Sequence, residues 1–157
     1  MSNITVREAG MEEMPRIAPM KKQIHDVHVN GRPDLFAPVV DAGLFEEHAQ
    51  QLNFRLLLAE VDGEAAGYAL IRPIIREANP YMQERRYLHV EEFCVDEHHR
   101  RGGIGRALME AVRQLAKTEN LPRIELDVWA FNKGAKQFYE AAGFSTFRYF
   151  MEMKTED

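Results

Sequence analysis

Apolar residues recur along this chain at two spacings. Ile4 to Arg7 alternates and predicts a short first strand. Met11 to Val29 carries a helical pattern interrupted by Pro15 and Pro19, and Asn30-Gly31-Arg32-Pro33 breaks it. Asp41 to Leu52 predicts a second helix. Two strand-like runs follow, Arg55 to Val61 and Ala65 to Ile75, joined by Asp62-Gly63, a strong tight-hairpin signal. Glu77 to Arg86 is a polar connection, and Tyr87 to Val95 reads as the next strand. Gly105 to Thr118 predicts a helix with Ile104, Leu108, Ala111, Val112 and Leu115 on its apolar face. Then come a strand over Arg123 to Trp129, a helix over Asn132 to Ala142 stopped at Gly143, and a last strand over Phe144 to Met153. The order is β-α-α-β-β-β-α-β-α-β. A hairpin in the middle argues against an all-parallel doubly wound sheet and for a mixed α/β sheet with helices on both faces.

The junction between the third hairpin strand and its helix carries the strongest chemical signal. Arg100-Arg101-Gly102-Gly103-Ile104-Gly105-Arg106 places three glycines and three arginines at a strand-to-helix turn. Glycines there let the backbone approach a ligand, and the helix aims its positive dipole end at the same spot, which suits a phosphate or pyrophosphate. Flanking arginines add charged, forked donors. A P-loop needs Lys and Ser or Thr after its last glycine, but Arg106-Ala107 stand there. A dinucleotide fingerprint needs a third glycine where Leu108 lies, and it usually opens its βαβ unit rather than sitting mid-chain.

Composition narrows the setting. With 157 residues the chain is most simply one domain, residues 1–157. Twenty basic against twenty-five acidic residues give a net charge of −5, which disfavours general nucleic-acid binding and mildly favours a cationic substrate. The single cysteine, Cys94, excludes an intramolecular disulfide and any multi-cysteine metal site. His98-His99 lacks metal-ligand spacing and reads as solvated loop, so no metal is expected. The first residues lack the apolar core of a signal peptide, and no apolar run reaches membrane-spanning length; the expected location is the cytoplasm.

Beyond the loop, further segments fall into a recognisable order. Arg100-Arg101-Gly102-Gly103-Ile104-Gly105 matches Gln/Arg-x-x-Gly-x-Gly/Ala. Before it lies Leu88-His89-Val90-Glu91-Glu92-Phe93-Cys94-Val95. After it come Leu126-Asp127-Val128-Trp129-Ala130-Phe131-Asn132 and Phe138-Tyr139-Glu140-Ala141-Ala142-Gly143-Phe144. Together, over Tyr87 to Phe144, they resemble the GNAT-fold N-acetyltransferases. The resemblance implies a mixed, mostly antiparallel sheet of six to seven strands flanked by about four helices. It implies acetyl-CoA as co-substrate and direct acetyl transfer to a primary amine. The expected acceptor is a small amine or polyamine, with a peptide or protein amine second. A CoA-binding sensor without transfer activity and a nucleotide-binding module are the rival functions. A homodimer is expected by analogy with the fold alone.

The resemblance also distributes roles. The amides of Arg101, Gly102, Gly103, Ile104, Gly105 and Arg106 would hold the pyrophosphate, with Arg100 supporting the loop or a phosphate. Phe93, Cys94 and Val95 would pair with the pantetheine arm through their main chain, Cys94 being otherwise a buried small residue and no nucleophile. Asn132 would contact the cofactor, cap its helix, or both. Tyr139 would protonate the departing thiolate. A primary amine near pKa ~10 must also lose a proton. Candidate bases are Glu91, then Asp127, then Glu92; on a regular strand Glu91 and Glu92 point to opposite faces. His28, Asp34 and Phe36 lie where the family lines its acceptor pocket, and Trp129 is either an acceptor wall or a core aromatic.

Overall fold

The computed structural model describes Asn3 to Glu156. Met1, Ser2 and Asp157, which the one-domain reading and the N-terminal reading include, lie outside the described residues. The chain divides into two compact units, Met1–Asp127 and Val128–Asp157.

The first unit is a single mixed sheet with helices on its two faces. Its strands are β1 (Ile4–Ala9), β2 (Arg55–Val61), β3 (Glu64–Arg76), β4 (Arg85–Val95) and β5 (Arg123–Leu126), in that spatial order. β1 to β4 are antiparallel neighbours, and β5 joins β4 in parallel after the crossover through α3 (Ile104–Thr118). The expectation of six or seven mostly antiparallel strands is therefore corrected to five among the described residues. Of the expected strands, one is shorter and one is missing. β5 ends at Leu126 rather than Trp129, because its ladder with β4 stops at the pair Val90–Leu126. Residues 144–153 form no strand among the described residues; their aromatic and apolar content favours a strand, but a strand also needs a ladder of main-chain hydrogen bonds.

The proline-interrupted helical stretch resolves into two pieces. Met11–Ile17, containing Pro15, is a 3₁₀ segment, and α1 (Ala18–Gly31) starts afresh with Pro19 in its first turn, where a missing N–H costs nothing. α2 (Ala42–Gln51) is capped by the Asp41 carboxylate, which accepts from the Leu44 amide at 2.9 Å. These helices cover one sheet face, where Met14, Ile17, Met20, Ala49, Leu56, Leu58, Tyr68, Leu70 and Cys94 form one buried cluster. α3 packs against the sheet through Ile104, Leu108, Met109, Val112 and Ala116. Ala111 and Leu115 are only partly buried, so the stripe is centred about a residue away from the expected one. Gly67 lets α3 begin close to β3: a Cβ there would lie 3.1 Å from both the Cys94 carbonyl and Ile104.

Ion pairs tie the strands to their flanks. Arg7 donates to Glu13 and Glu60, Arg16 bonds both the same acids, and Arg55 bridges Glu8 and Glu119. Hydrogen bonds from Arg7 hold Glu13 down to about 2 and lower Glu60, and one from Arg55 lowers Glu8. A carboxyl whose folded pKa is depressed contributes stability above its unfolded pKa and loses it as pH falls through the folded value. Stability is therefore expected to fall between about pH 4.5 and pH 2, with the reference Glu value near ~4.3. Melting temperature followed across that range checks this, and Arg7→Ala should flatten the acid limb while lowering the neutral plateau.

The second unit holds α4 (Lys133–Ala141). Asn132 caps it, accepting from the Ala135 amide at 3.2 Å, and Gly143 follows its end at φ +109°. No helix among the described residues is long and apolar enough to cross a membrane.

Candidate active site

The glycine turn has the conformation its sequence suggests. Arg101 and Gly103 both take positive φ, +67° and +85°, and Gly103 stands at the N-cap of α3 without any side chain capping the helix. The first amides of α3 are left for an outside acceptor, since the bond from Ala107 N to Gly103 O is where helical pairing begins. A Cβ built on Gly103 meets nothing within 4 Å, so the space in front of the turn is open. That is the geometry of an anion cradle. The connection feeding it is braced: Asp96 receives Gln23 Nε2 at 2.7 Å and His99 Nδ1 at 2.8 Å, and its amide donates to Ala66 O at 2.8 Å. Against the upward push of burial, these side-chain bonds hold Asp96 below its ordinary range. The Arg100 guanidinium reaches back to Val95 O at 3.4 Å, which ties the loop to the end of β4.

β4 carries the second half of the site. Its register against β3 shifts between Leu70–Glu92 and Ile71–Val90, so Glu91 is an extra residue facing no partner: a β-bulge. The bulge overturns the expectation that Glu91 and Glu92 point to opposite faces. Glu92 accepts from the Tyr68 hydroxyl at 2.7 Å and pairs with Lys21 of α1, on the face covered by α1 and α2. Glu91 bonds His89 Nε2 at 3.0 Å. His89 sits opposite Arg72, which packs over Phe54 and donates to Leu52 O at 3.3 Å on that same face. One inserted residue breaks the period-two alternation, and both carboxylates emerge together.

Their surroundings differ. Glu92 is engaged from two sides, and burial pushes the Tyr68 phenol well above its ordinary pKa, so that Tyr68 remains a donor. The Glu91 side chain is about half exposed. Its carboxyl is held below the ordinary range by the His89 ring, against burial, with Arg72 and Lys21 adding in the same direction. Glu91 is thus the more accessible carboxylate and is ionised at neutral pH. β4 continues to Val95 past the end of the β5 ladder, which leaves Glu91 to Val95 beyond the parallel pairing.

Cys94 is buried, its Sγ 3.6 Å from Met20 O, and burial pushes the thiol up to about 12. Such a thiol is no nucleophile at neutral pH. His28 stacks on Phe36 with ring centroids 4.9 Å apart, and Arg32 holds Asp34 in a fork at 2.8 and 2.9 Å. Burial, then Lys21, keeps the His28 imidazole below its ordinary pKa, opposed by Glu92. The structure therefore brings His28 into the electrostatic neighbourhood of Lys21 and Glu92. Asp127 directly follows β5. In the second unit Tyr139 packs edge-on against Phe138 and Phe144 at 5.6 and 5.7 Å, and Trp129 stacks with Phe131 at 6.0 Å.

Lys21, Tyr68, Arg72 and His89 are parts of this face that the sequence reading passes over. His89 carries a signal, two residues before Glu91 on the same strand. The others become neighbours only through strand register and helix docking.

An α/β sheet with a bulged strand that outruns its parallel neighbour, leading into an uncapped glycine-led helix, defines a class. Its loop has the geometry of an anion site, and the strand before it carries a pair of carboxylates on one face. The profile of the Acetyltransferase (GNAT) family matches residues 22–144, a span that crosses both units. The chain belongs to that family, whose members are acyl-CoA-dependent N-acetyltransferases using acetyl-CoA. Among curated proteins it is similar to an N-alpha-acetyltransferase of Sulfurisphaera tokodaii, with 33% identity over 105 residues. That match spans 64% of this chain and 62% of the relative, less than two thirds of the relative's length. Among solved structures it is similar to a tetramutant of the BH1408 protein from Bacillus halodurans, at TM-score 0.87 and 31% identity, covering 96% of this chain and 99% of that one. The fold is also shared with the aminoglycoside N-acetyltransferase AAC(6')-Iy solved with CoA, at TM-score 0.72 and 19% identity, covering 99% and 97%.

Proposed function

We propose that this protein transfers the acetyl group of acetyl-CoA directly to a primary amine, a small-molecule amine first and a peptide amine second. The observation that carries the reading is the turn at Gly103: positive φ, open space in front, and an uncapped helix behind it. The loop amides from Arg101 to Arg106 would bind the pyrophosphate, with Arg100 bracing the loop from the end of β4. The main chain of Phe93, Cys94 and Val95 would hold the pantetheine arm like an added strand, and an amide there would face the thioester carbonyl.

The chemistry follows from the groups at hand. The amine nitrogen attacks the carbonyl carbon after losing a proton to Glu91, directly or through one water. Glu91 suits this better than Glu92, because Lys21 and Tyr68 already occupy Glu92. Asp127 is the second candidate base. The tetrahedral intermediate then collapses, the C–S bond breaks, and Tyr139 supplies a proton to the thiolate. His28, Asp34, Phe36 and Trp129 would line the acceptor side. A buried Cys94 with a raised pKa supports direct transfer without an acyl-enzyme.

Two assays test the reading. Thermal shift with acetyl-CoA, CoA, ATP and NAD should show stabilisation by the first two, whereas stabilisation by ATP alone would favour the nucleotide-binding module. A screen of amines for CoA release should find turnover with at least one; stabilisation by CoA without any turnover would favour the silent sensor.

A further inference from the structure

Among the described residues, the buried side-chain donor without a hydrogen-bond partner is Arg72 Nε, on the sheet face beside Glu91. Arg7, Arg16, Arg32, Arg55 and Arg85 all pair with carboxylates of the chain. Arg72 donates to a carbonyl at 3.3 Å and rests over the Phe54 ring, and its buried Nε has no hydrogen-bond partner among the described residues. A guanidinium is a planar fork suited to a carboxylate, and an orphaned donor within it is a cost that a packing role does not require.

Its surroundings point the same way. β3 runs on to Arg76 while β2 pairs with it only as far as Ile71, so the edge of β3 from Arg72 onward is open. An open groove of about 470 Å³ follows that edge, with Asn53 and the two arginines 72 and 76 supplying its polar walls and no acidic residue lining it. Arg72 links the groove to the face that carries Glu91: it registers with His89, and His89 bonds Glu91. By ordinary sheet spacings Arg72 and Glu91 stand roughly 8 Å apart at their Cβ atoms. A cation and an anion at that separation on one face match a zwitterion in the reverse sense.

We propose that the acceptor is an amine that also carries a carboxylate, its ammonium end at Glu91 and its carboxylate on Arg72. The inference rests on the acetyl-transfer reading and narrows its acceptor. Free amino acids and peptides with an acidic first or second residue both present this chemistry. A polyamine does not.

The test compares each acceptor with its carboxamide. Acetyl-CoA turnover is measured with free amino acids, with short acidic peptides, with the matching carboxamides, and with putrescine and spermidine. Carboxylate acceptors should have kcat/KM about 10- to 100-fold above their carboxamides. Which of the two carboxylate arms is preferred identifies the source. Arg72→Gln should raise KM for the carboxylate acceptors and collapse that selectivity, Arg72→Lys should restore part of it, and Arg86→Gln, at an exposed position of β4, should leave it intact. Equal turnover of acids and amides, or preference for polyamines, overturns the inference while sustaining acetyl transfer. Binding gives a readout independent of turnover. With CoA present, the carboxylate compounds should raise the melting temperature of the native chain and not of Arg72→Gln. No such shift overturns the inference whatever the turnover assay shows.

Discussion

Gly103→Val is expected to abolish acetyl-CoA binding while leaving a folded protein. Two effects combine. At φ +85° a side chain strains the backbone by about 1–2 kcal/mol. The branched side chain would also stand in the open space before the α3 amides, where the pyrophosphate is proposed to sit. Losing two charge-assisted amide bonds at about 1.5–3 kcal/mol each weakens binding by roughly two to four orders of magnitude. Gly63 provides an internal control. It has nearly the same φ, +86°, and equally open surroundings, but lies in the β2–β3 turn. Gly63→Val should lower the melting temperature by a comparable few degrees and leave acetyl-CoA affinity intact. If the two variants bind acetyl-CoA equally well, the pyrophosphate assignment of the loop fails.

Tyr139→Phe should lower kcat by about 10²- to 10⁴-fold, the usual reach of a general acid, with acetyl-CoA affinity nearly unchanged. The substitution removes only the hydroxyl and keeps the ring that packs against Phe138 and Phe144. A packing role predicts the opposite pattern, a small change in turnover alongside any change in melting temperature. The pH profile supplies the second readout. A tyrosine acid imposes an alkaline limb on kcat, and the Phe variant should lose it. Retained turnover and a retained alkaline limb would transfer the acid role away from Tyr139.

The contrast between Glu91 and Glu92 shows how far a linear reading reaches. Both carboxylates are visible in the sequence, and strand alternation assigns them to opposite faces. The bulge at Glu91 is a register event between two strands, decided by how β3 and β4 pack, and it brings both to one side. What then separates them is tertiary: α1 delivers Lys21 to Glu92 and β3 delivers Tyr68, while Glu91 hydrogen-bonds His89 and stays about half exposed. Arg72 is harder still to find. Its distance in sequence from Glu91 carries no pattern, and only the β3–β4 register makes them neighbours.

By itself the sequence determined the elements with strong local codes. The Asp62-Gly63 hairpin, the amphipathic α3, the Asn132 cap and the glycine-led turn before α3 all follow from backbone preferences and periodicity within a few residues, which act the same way in any context. It also carries the donor side of the proposed chemistry, because the proposed pyrophosphate cradle is built from contiguous amides. The tertiary structure alone decided where β5 stops, which face each carboxylate takes, which of them is already engaged, and which arginine stands beside the other. These are outcomes of pairing and packing between segments tens of residues apart, and the proposed acceptor side is made of nothing else.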